Sequence, residues 1–390
     1  MKLTINGKAY IAGAYEHPLR KTPHLSVAAI HYQCAKGALI DAGLTFDDVD
    51  GYFCGGDAPG GVLSMVEYFG LKNVRHVDGT EIGGSSYIAH VSHAAQAIAA
   101  GKCKVALITM GGRPRSEGRS GVKQKIVAAN VADTPFEIPY SPTAVNEYGM
   151  AAMRHMHEFG TTSEQLAWVK VAFSHHAQYN EHAMLRDVVT VEDVLNSPII
   201  GDPLHKLDCC VVSDGGGALV VVSPEIAKQL KRPLVKVRGA GEAPKGILNG
   251  KTDLTYSGAV WSGPKAFEEA GVTQADIKYA SIYDSFTITV VMQLEDLGFC
   301  KKGEGGKFVA DGNLISGIGK LPTNTDGGGL NNNHPASRGG IIKVIEAVRQ
   351  LRGEAHPKVQ VANCDLALVH GTGGGLGSRH GSATLILERE

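Results

Sequence analysis

The sequence predicts an α/β fold built from two pseudo-symmetric halves, and three observations carry that reading. DAGLTFDDVDGYF (41–53) and EAGVTQADIKYAS (269–281) align without gaps, each with a helix end, a glycine stop, an acidic turn and a strand start. The apolar runs between helices are continuous rather than alternating, which argues for sheets covered on both faces. The first half also carries a long insertion, between MGG (110–112) and DCCVVSDGGG (208–217).

Each element follows in order. After the first duplicated corner, GTEIGGSSYIAH (79–90) is a glycine-rich turn running into an amphipathic helix that continues HVSHAAQAIAAG, and KVALITMGG (104–112) is a strand ending in glycines. The insertion holds the basic, glycine-broken GGRPRSEGRSGVKQK and the helical AAMRHMHEFGTTSEQLAWVKVAFSHHAQ, in which SEQLAWVKV starts with a serine and a first-turn glutamate. Large insertions in compact folds often serve function, so this one reads as a lid and partner contact. GGALVVVS (216–223) closes the first half. The second half repeats the plan with GGIIKVIEAVRQLRG, CDLALVHGTGG (364–374) and GSATLILE (381–388). The expected division is residues 1–235 and 236–390, with a loop domain over about 112–207.

Composition narrows the function. Of the 390 residues 43% are hydrophobic and 20% charged, enough to bury a large core, and 38 basic against 39 acidic residues exclude a strongly basic nucleic-acid or membrane-surface binder. No apolar run approaches the roughly 18 residues that span a bilayer. The start MKLTINGKAYIAGAYE lacks an apolar signal segment, and the cysteines (Cys34, Cys54, Cys103, Cys209, Cys210, Cys300, Cys364) have no paired spacing, so a reduced, cytoplasmic protein is expected. Cys209-Cys210 lacks CxxC spacing, so no metal is expected. Glycine clusters beside histidines in NTDGGGLNNNHPASRGG (324–340) and HGTGGGLGSRHGSA (370–383), where backbone can approach a ligand closely.

The order and spacing of YDSF, NNNHP and HGTGGG within this duplicated chain resemble the thiolase superfamily, over essentially the whole length. The chain looks most like the sterol-carrier-protein-type thiolases, with the related steroid side-chain aldolases and a benzoylsuccinyl-CoA thiolase, which work with a small zinc-ribbon/OB-fold partner. The resemblance implies a five-layered αβαβα arrangement, a homodimer with one small partner per subunit in a heterotetramer, and coenzyme A as the thioester or cosubstrate. It also implies four catalytic loops in one pocket. NNNHP carries His334 and Pro335, matched to the loop that donates to a thioester oxygen. YDSF carries Tyr283 and Asp284, matched to a second donor or its support. HGTGGG carries His370, matched to the histidine that moves a proton at the α-carbon.

The fourth loop is where this chain departs from the family. The nucleophilic cysteine falls on Gly84, with Ser85 and Ser86 beside it. The serines either cap the following helix or, with a base, attack a thioester; Cys54, in FCGGD, is the other thiol near this loop. An enolate-stabilising pocket without cysteine suits retro-aldol cleavage of a β-hydroxyacyl-CoA carrying a branched, steroid-like or aromatic acyl group. Thiolysis of a β-ketoacyl-CoA by free CoA is the alternative, and a catalytically silent scaffold is a third. Arg113, Arg115, Arg119, Lys123 and Lys125 are candidates for CoA phosphates or an acidic partner face.

Overall fold

The computed structural model describes residues 4–119, 143–246, 253–335, 339–376 and 380–390. The duplicated corner is built the same way twice. Helix α1 (Val27–Ala42) stops at Gly43, which adopts φ 72 and ψ 28. Helix α6 (Ala259–Ala270) stops at Gly271, with φ 65 and ψ 39. Only a residue without a Cβ adopts this left-handed conformation cheaply. In the turn that follows, Asp48 accepts from the amide and hydroxyl of Thr45 at 2.8 Å, and Asp276 accepts from the same groups of Thr273 at 2.8 and 2.9 Å. The turns then feed strands β2 (Gly51–Cys54) and β9 (Tyr279–Ile282).

The other large-sheet strands are β1 (Tyr10–Glu16), β3 (His76–Asp78), β4 (Val105–Gly112), β7 (Gly215–Val222), β8 (Val235–Lys245), β10 (Leu366–Gly374) and β11 (His380–Arg389). Their spatial order is β3-β2-β4-β7-β1-β8-β11-β10-β9. In both halves a parallel pair, β2–β4 or β9–β10, is followed by antiparallel partners, and the halves join where β1 pairs antiparallel with β8 through Tyr10↔Lys236 and Ile11↔Val235. The outer edge strands, β3 and β9, belong to different halves.

Burial on both faces explains the continuous apolar runs. Leu107 packs with α1 and helix α2 (Gly61–Phe69) on one side of β4, while the next residue, Ile108, packs in the central layer. That layer holds helices α3 (Ser86–Ala99) and α8 (Gly340–Arg352), sandwiched between the inner faces of both halves. The far core joins α6 and helix α7 (Thr287–Asp296) to the outer face of β9, β10 and β11. The result is five layers, αβαβα.

The insertion contributes helices α4 (Ala144–Phe159) and α5 (Ser163–Ala177) and the small hairpin β5 (Ile199–Gly201) with β6 (Leu204–His205). In sequence it interrupts the first half, but Val145, Tyr148, Leu166 and Phe173 are buried with Phe286, Leu294 and Leu330 of the second. No described helix is long and apolar enough to cross a membrane.

The central helices start almost in contact. A Cβ added to Gly340 would lie 2.0 Å from the carbonyl oxygen of Gly84, backbone that cannot step aside. Gly340→Ala is expected to destabilise the fold by about 1–3 kcal/mol, read as a lower denaturant midpoint with an unchanged slope.

Candidate active site

Four chain segments converge where α3 and α8 begin. In the first, the turn Gly83–Ser85 precedes α3, and Gly83 takes φ +63. Its amide donates to Glu81 at 3.0 Å, and the other oxygen of that carboxylate accepts from Gly56 at 2.6 Å. Ser85 donates to the Ile82 carbonyl at 2.7 Å; Ser86 donates to Gly83 at 2.7 Å and accepts from the Ile82 amide at 2.9 Å. Both serines are buried. Their hydroxyls close the turn backwards rather than accepting from amides of α3, which corrects the capping expectation. They have no free route to a thioester.

Gly84 meets a full environment. A Cβ there would lie 2.5 Å from two ring carbons of Tyr283 and 2.3 Å from the Thr372 carbonyl oxygen. The space a cysteine side chain would need is taken by the tyrosine ring.

The second segment is YDSF, between β9 and α7. Tyr283 donates its amide to the His370 carbonyl at 2.9 Å, and its hydroxyl lies 2.9 Å from His334 Nε2, with the rings nearly edge to face at 5.5 Å. Asp284 turns away from the cavity. It pairs with Lys343 Nζ at 2.6 Å and accepts from the amides of Gly329 and Leu330 at 2.8 and 3.0 Å. Asp284 therefore supports the loop and does not donate to a ligand. Burial raises its pKa, opposed by Lys343 and the two amides.

The third segment is NNNHP. Asn332 and Asn333 donate to Glu16 at 3.2 and 3.1 Å, Arg20 donates to Asn332 at 2.7 Å, and Ser213 reaches both Asn333 at 2.7 Å and the His334 amide at 2.9 Å. Just before it, Lys170 Nζ donates to the Leu330 carbonyl at 2.8 Å. These bonds aim the half-buried His334 at Tyr283.

The fourth segment is HGTGGG, which forms the end of β10 rather than a loop. Side chains two apart share a strand face, and Thr372, nearer the strand end, reaches the cavity. His370 lies deeper, fully buried, with Nδ1 2.8 Å from Thr384 Oγ1. It is not among the residues that line the cavity.

The cavity has a volume of about 960 Å³ and a largely apolar wall that includes Ile82, Pro114, Ala144, Val212, Pro244 and Phe286. Its polar lining includes Tyr283 and His334, together with Thr372 and His380 from the glycine cluster at 370–383 and Tyr148, Cys210 and Lys245, which no catalytic motif marks. Tyr148 comes from the insertion and stacks on Phe286 with ring centroids 4.6 Å apart. SRHGSATL offered one usable signal, a histidine opening an apolar strand. Cys54, fully buried, lies outside the lining.

The basic run splits up. Arg113 donates to the Leu25 carbonyl, and Arg115 to Met184 Sδ at 3.4 Å and the Val212 carbonyl at 3.3 Å; neither lines the cavity. Arg119, paired with Glu117 at 3.0 Å, does line it. Lys123 and Lys125 lie outside the described residues.

Relatives bear on this geometry. A family model described as thiolase C-terminal domain-like matches residues 242–389. The chain is 35% identical over 361 residues to a steroid side-chain-cleaving aldolase of Thermomonospora curvata, covering 89% of this chain and 91% of that one. The chain belongs to the thiolase superfamily. It is also 33% identical over 346 residues to an acetyl-CoA acetyltransferase of Methanothermobacter thermautotrophicus, covering 87% and 89% of the two chains. Among solved structures the thiolase-superfamily chain matches the Ltp2-ChsH2(DUF35) aldolase with a TM-score of 0.88 and 33% identity, over 99% of this chain and 98% of that one. It is an enzyme of that superfamily, not a silent scaffold.

The histidines and Tyr283 of the site are held neutral. Burial pushes His334 down to about 4, with the Lys343 charge adding to the effect. His370 and His380 are pushed down to about 3, burial again leading. Burial holds the Tyr283 phenol protonated well above its ordinary range, while the Gly339 amide at the start of α8 works the other way. At neutral pH all these groups are uncharged.

A pH prediction follows with a definite sign. The unfolded chain protonates these histidines near 6.5 and the folded chain only near 3 to 4, so the unfolded state binds more protons between those values. Above pH 6.5 the three contribute nothing; below it each removes about 1.4 kcal/mol per pH unit. Calorimetric melting temperatures should fall steadily from pH 6.5 to pH 4.5.

Proposed function

We propose that this thiolase-superfamily enzyme cleaves the Cα–Cβ bond of a bulky β-hydroxyacyl-CoA by a retro-aldol reaction, with no acyl-enzyme. The observation that carries the reading is the Tyr283 ring standing in the place a nucleophile at Gly84 would need. A phenol held protonated by burial is a poor nucleophile and a good hydrogen-bond donor.

Tyr283 then donates to the thioester oxygen as negative charge builds there, with His334 and the Gly339 amide holding the phenol oxygen. Preorganised donors of this kind contribute about 3–4 kcal/mol each to a transition state. The Gly339 amide begins α8, whose N-terminal dipole favours the same charge. The cavity's volume and apolar wall suit a branched, steroid-like or aromatic acyl group, and Arg119 at its lining suits a CoA phosphate. The steroid side-chain-cleaving aldolase among the relatives supports this substrate class. The DUF35 component of the Ltp2-ChsH2 aldolase supports a partner protein for this chain, which the family resemblance makes a small zinc-ribbon/OB-fold protein beside a homodimer.

One observation favours a second reading, CoA-dependent thiolysis. Cys210 lines the cavity, and the acetyltransferase relative is a thiolytic precedent. Against it, burial first and then the charge of Asp284 hold the Cys210 thiol far above its ordinary range, leaving little thiolate.

Matched β-hydroxy and β-keto acyl-CoA substrates, each with and without free CoA, separate the two by mass spectrometry of the products. Cleavage of the β-hydroxy compound without added CoA is expected; cleavage of the β-keto compound alone, and only with CoA, would sink the aldol reading. Tyr283→Phe should lower kcat about 100- to 1,000-fold with KM little changed. Ser85→Ala should keep near-wild-type turnover, and Cys210→Ser should retain most of it; loss of activity in folded Cys210→Ser would favour thiolysis.

A further inference from the structure

The cavity holds a second imidazole that the mechanism above does not use. His380, the first residue of β11, lines the cavity and is 2% exposed. Its Nε2 lies 2.5 Å from Thr372 Oγ1, and its Nδ1 has no hydrogen-bond partner among the described residues. The Thr372 hydroxyl in turn reaches the Tyr148 phenol. The ring is thus held at one nitrogen and, at the other, buried without a partner. The carbonyl of the same Thr372 and the ring of Tyr283 both flank Gly84, so His380 belongs to the cavity end that holds Tyr283 and His334. Across the strand ladder His380 faces Lys245, whose Nζ donates to the carbonyls of Asp253, Tyr256 and Leu376 at 2.5, 2.6 and 3.1 Å.

Resting on the aldol reading, we propose that His380 is the proton shuttle of the cleavage. Nδ1 takes the proton of the β-hydroxyl as the Cα–Cβ bond breaks, and returns it to Cα. The O–H electron pair becomes the second bond of the departing carbonyl. The Cα–Cβ pair becomes the thioester enolate, and that enolate then takes the proton from the imidazolium. One residue serves both transfers, because the proton lost by oxygen is the proton gained by carbon, and the imidazole ends neutral. With Nε2–H donating to Thr372, the Nδ1 lone pair is left for the substrate.

Burial and the Lys245 charge keep His380 neutral, so it enters as a base. Enolate charge forming beside it favours the imidazolium at the moment it is needed. His370, bonded to Thr384 at Nδ1 and likewise unpartnered at Nε2, does not line the cavity.

The test uses the full chain with any partner that copurifies. Two probes are followed: cleavage of the tertiary β-hydroxyacyl-CoA adduct of a decalone and acetyl-CoA, and deuterium exchange into acetyl-CoA in D2O, which reports the α-carbon transfer alone. His380→Gln, which can still bond Thr372 but cannot carry the proton, should slow both at least about 100-fold, with KM within about threefold. Added imidazole should restore part of both rates to His380→Ala.

A His380→Gln protein that cleaves and exchanges at wild-type rates overturns the assignment, as does a folded His380→Ala protein that imidazole leaves inactive. If the wild type cleaves only β-keto substrates with CoA, the aldol reading falls by itself. The α-carbon half of the assignment then still stands or falls by the exchange rates of wild type and His380→Gln.

Discussion

The close approach of two glycine turns, one from each half, is the constraint on which the rest of the site depends. A Cβ at Gly373 would lie 2.3 Å from the Gly84 amide nitrogen and 2.4 Å from the Ile82 carbonyl, and Gly340 meets the Gly84 carbonyl in the same way. Through these contacts the starts of α3 and α8 and the end of β10 are held together. Tyr283 can lie over Gly84 only because that residue has no side chain. The dyad with His334, the cavity end and the direction of both helix dipoles follow from that packing.

Glu81, Arg119 and Lys245 reach the cavity lining, while two ion pairs stand outside it, Asp284 with Lys343 at 2.6 Å and Glu16 with Arg20 at 2.6 Å, where each carboxylate has an opposite partner and hydrogen bonds. Such pairs are weak evidence of net stability but strong determinants of position, since removing one partner strands the other. At the lining Tyr283, His334 and His380 are neutral dipoles in a largely apolar wall. Neutral donors and acceptors fixed in place favour charge that appears during reaction without binding charge at rest.

What was legible in the sequence divides along the same line. The corners at 41–53 and 269–281 were legible because a glycine stop and a Thr–Asp turn act within a few residues. YDSF and NNNHP were legible as site loops because their order within the repeat is a long-range signature of its own. HGTGGG looks like a loop by composition, but most of it is strand: His370 and Thr372 share one face of β10, and Thr372 lines the cavity because it is nearer the strand end. Tyr148 and Cys210 had no readable signal, because the insertion interrupts one half in sequence and packs against the other. The basic run divides because arginine serves backbone carbonyls as readily as phosphates: Arg113 does so at Leu25 and Arg115 at Val212, while Arg119 reaches the cavity.

The tyrosine over Gly84 also bears on how such an enzyme can change over evolutionary time. Restoring a cysteine at position 84 alone would set its side chain against the Tyr283 ring and the Thr372 carbonyl. Shrinking Tyr283 alone would remove the donor and leave a void with no nucleophile in it. Each single step is worse than either end point, so the two positions are epistatic. Lineages that cross between covalent and noncovalent chemistry on this scaffold must change both together, or first relax the backbone that binds the two halves.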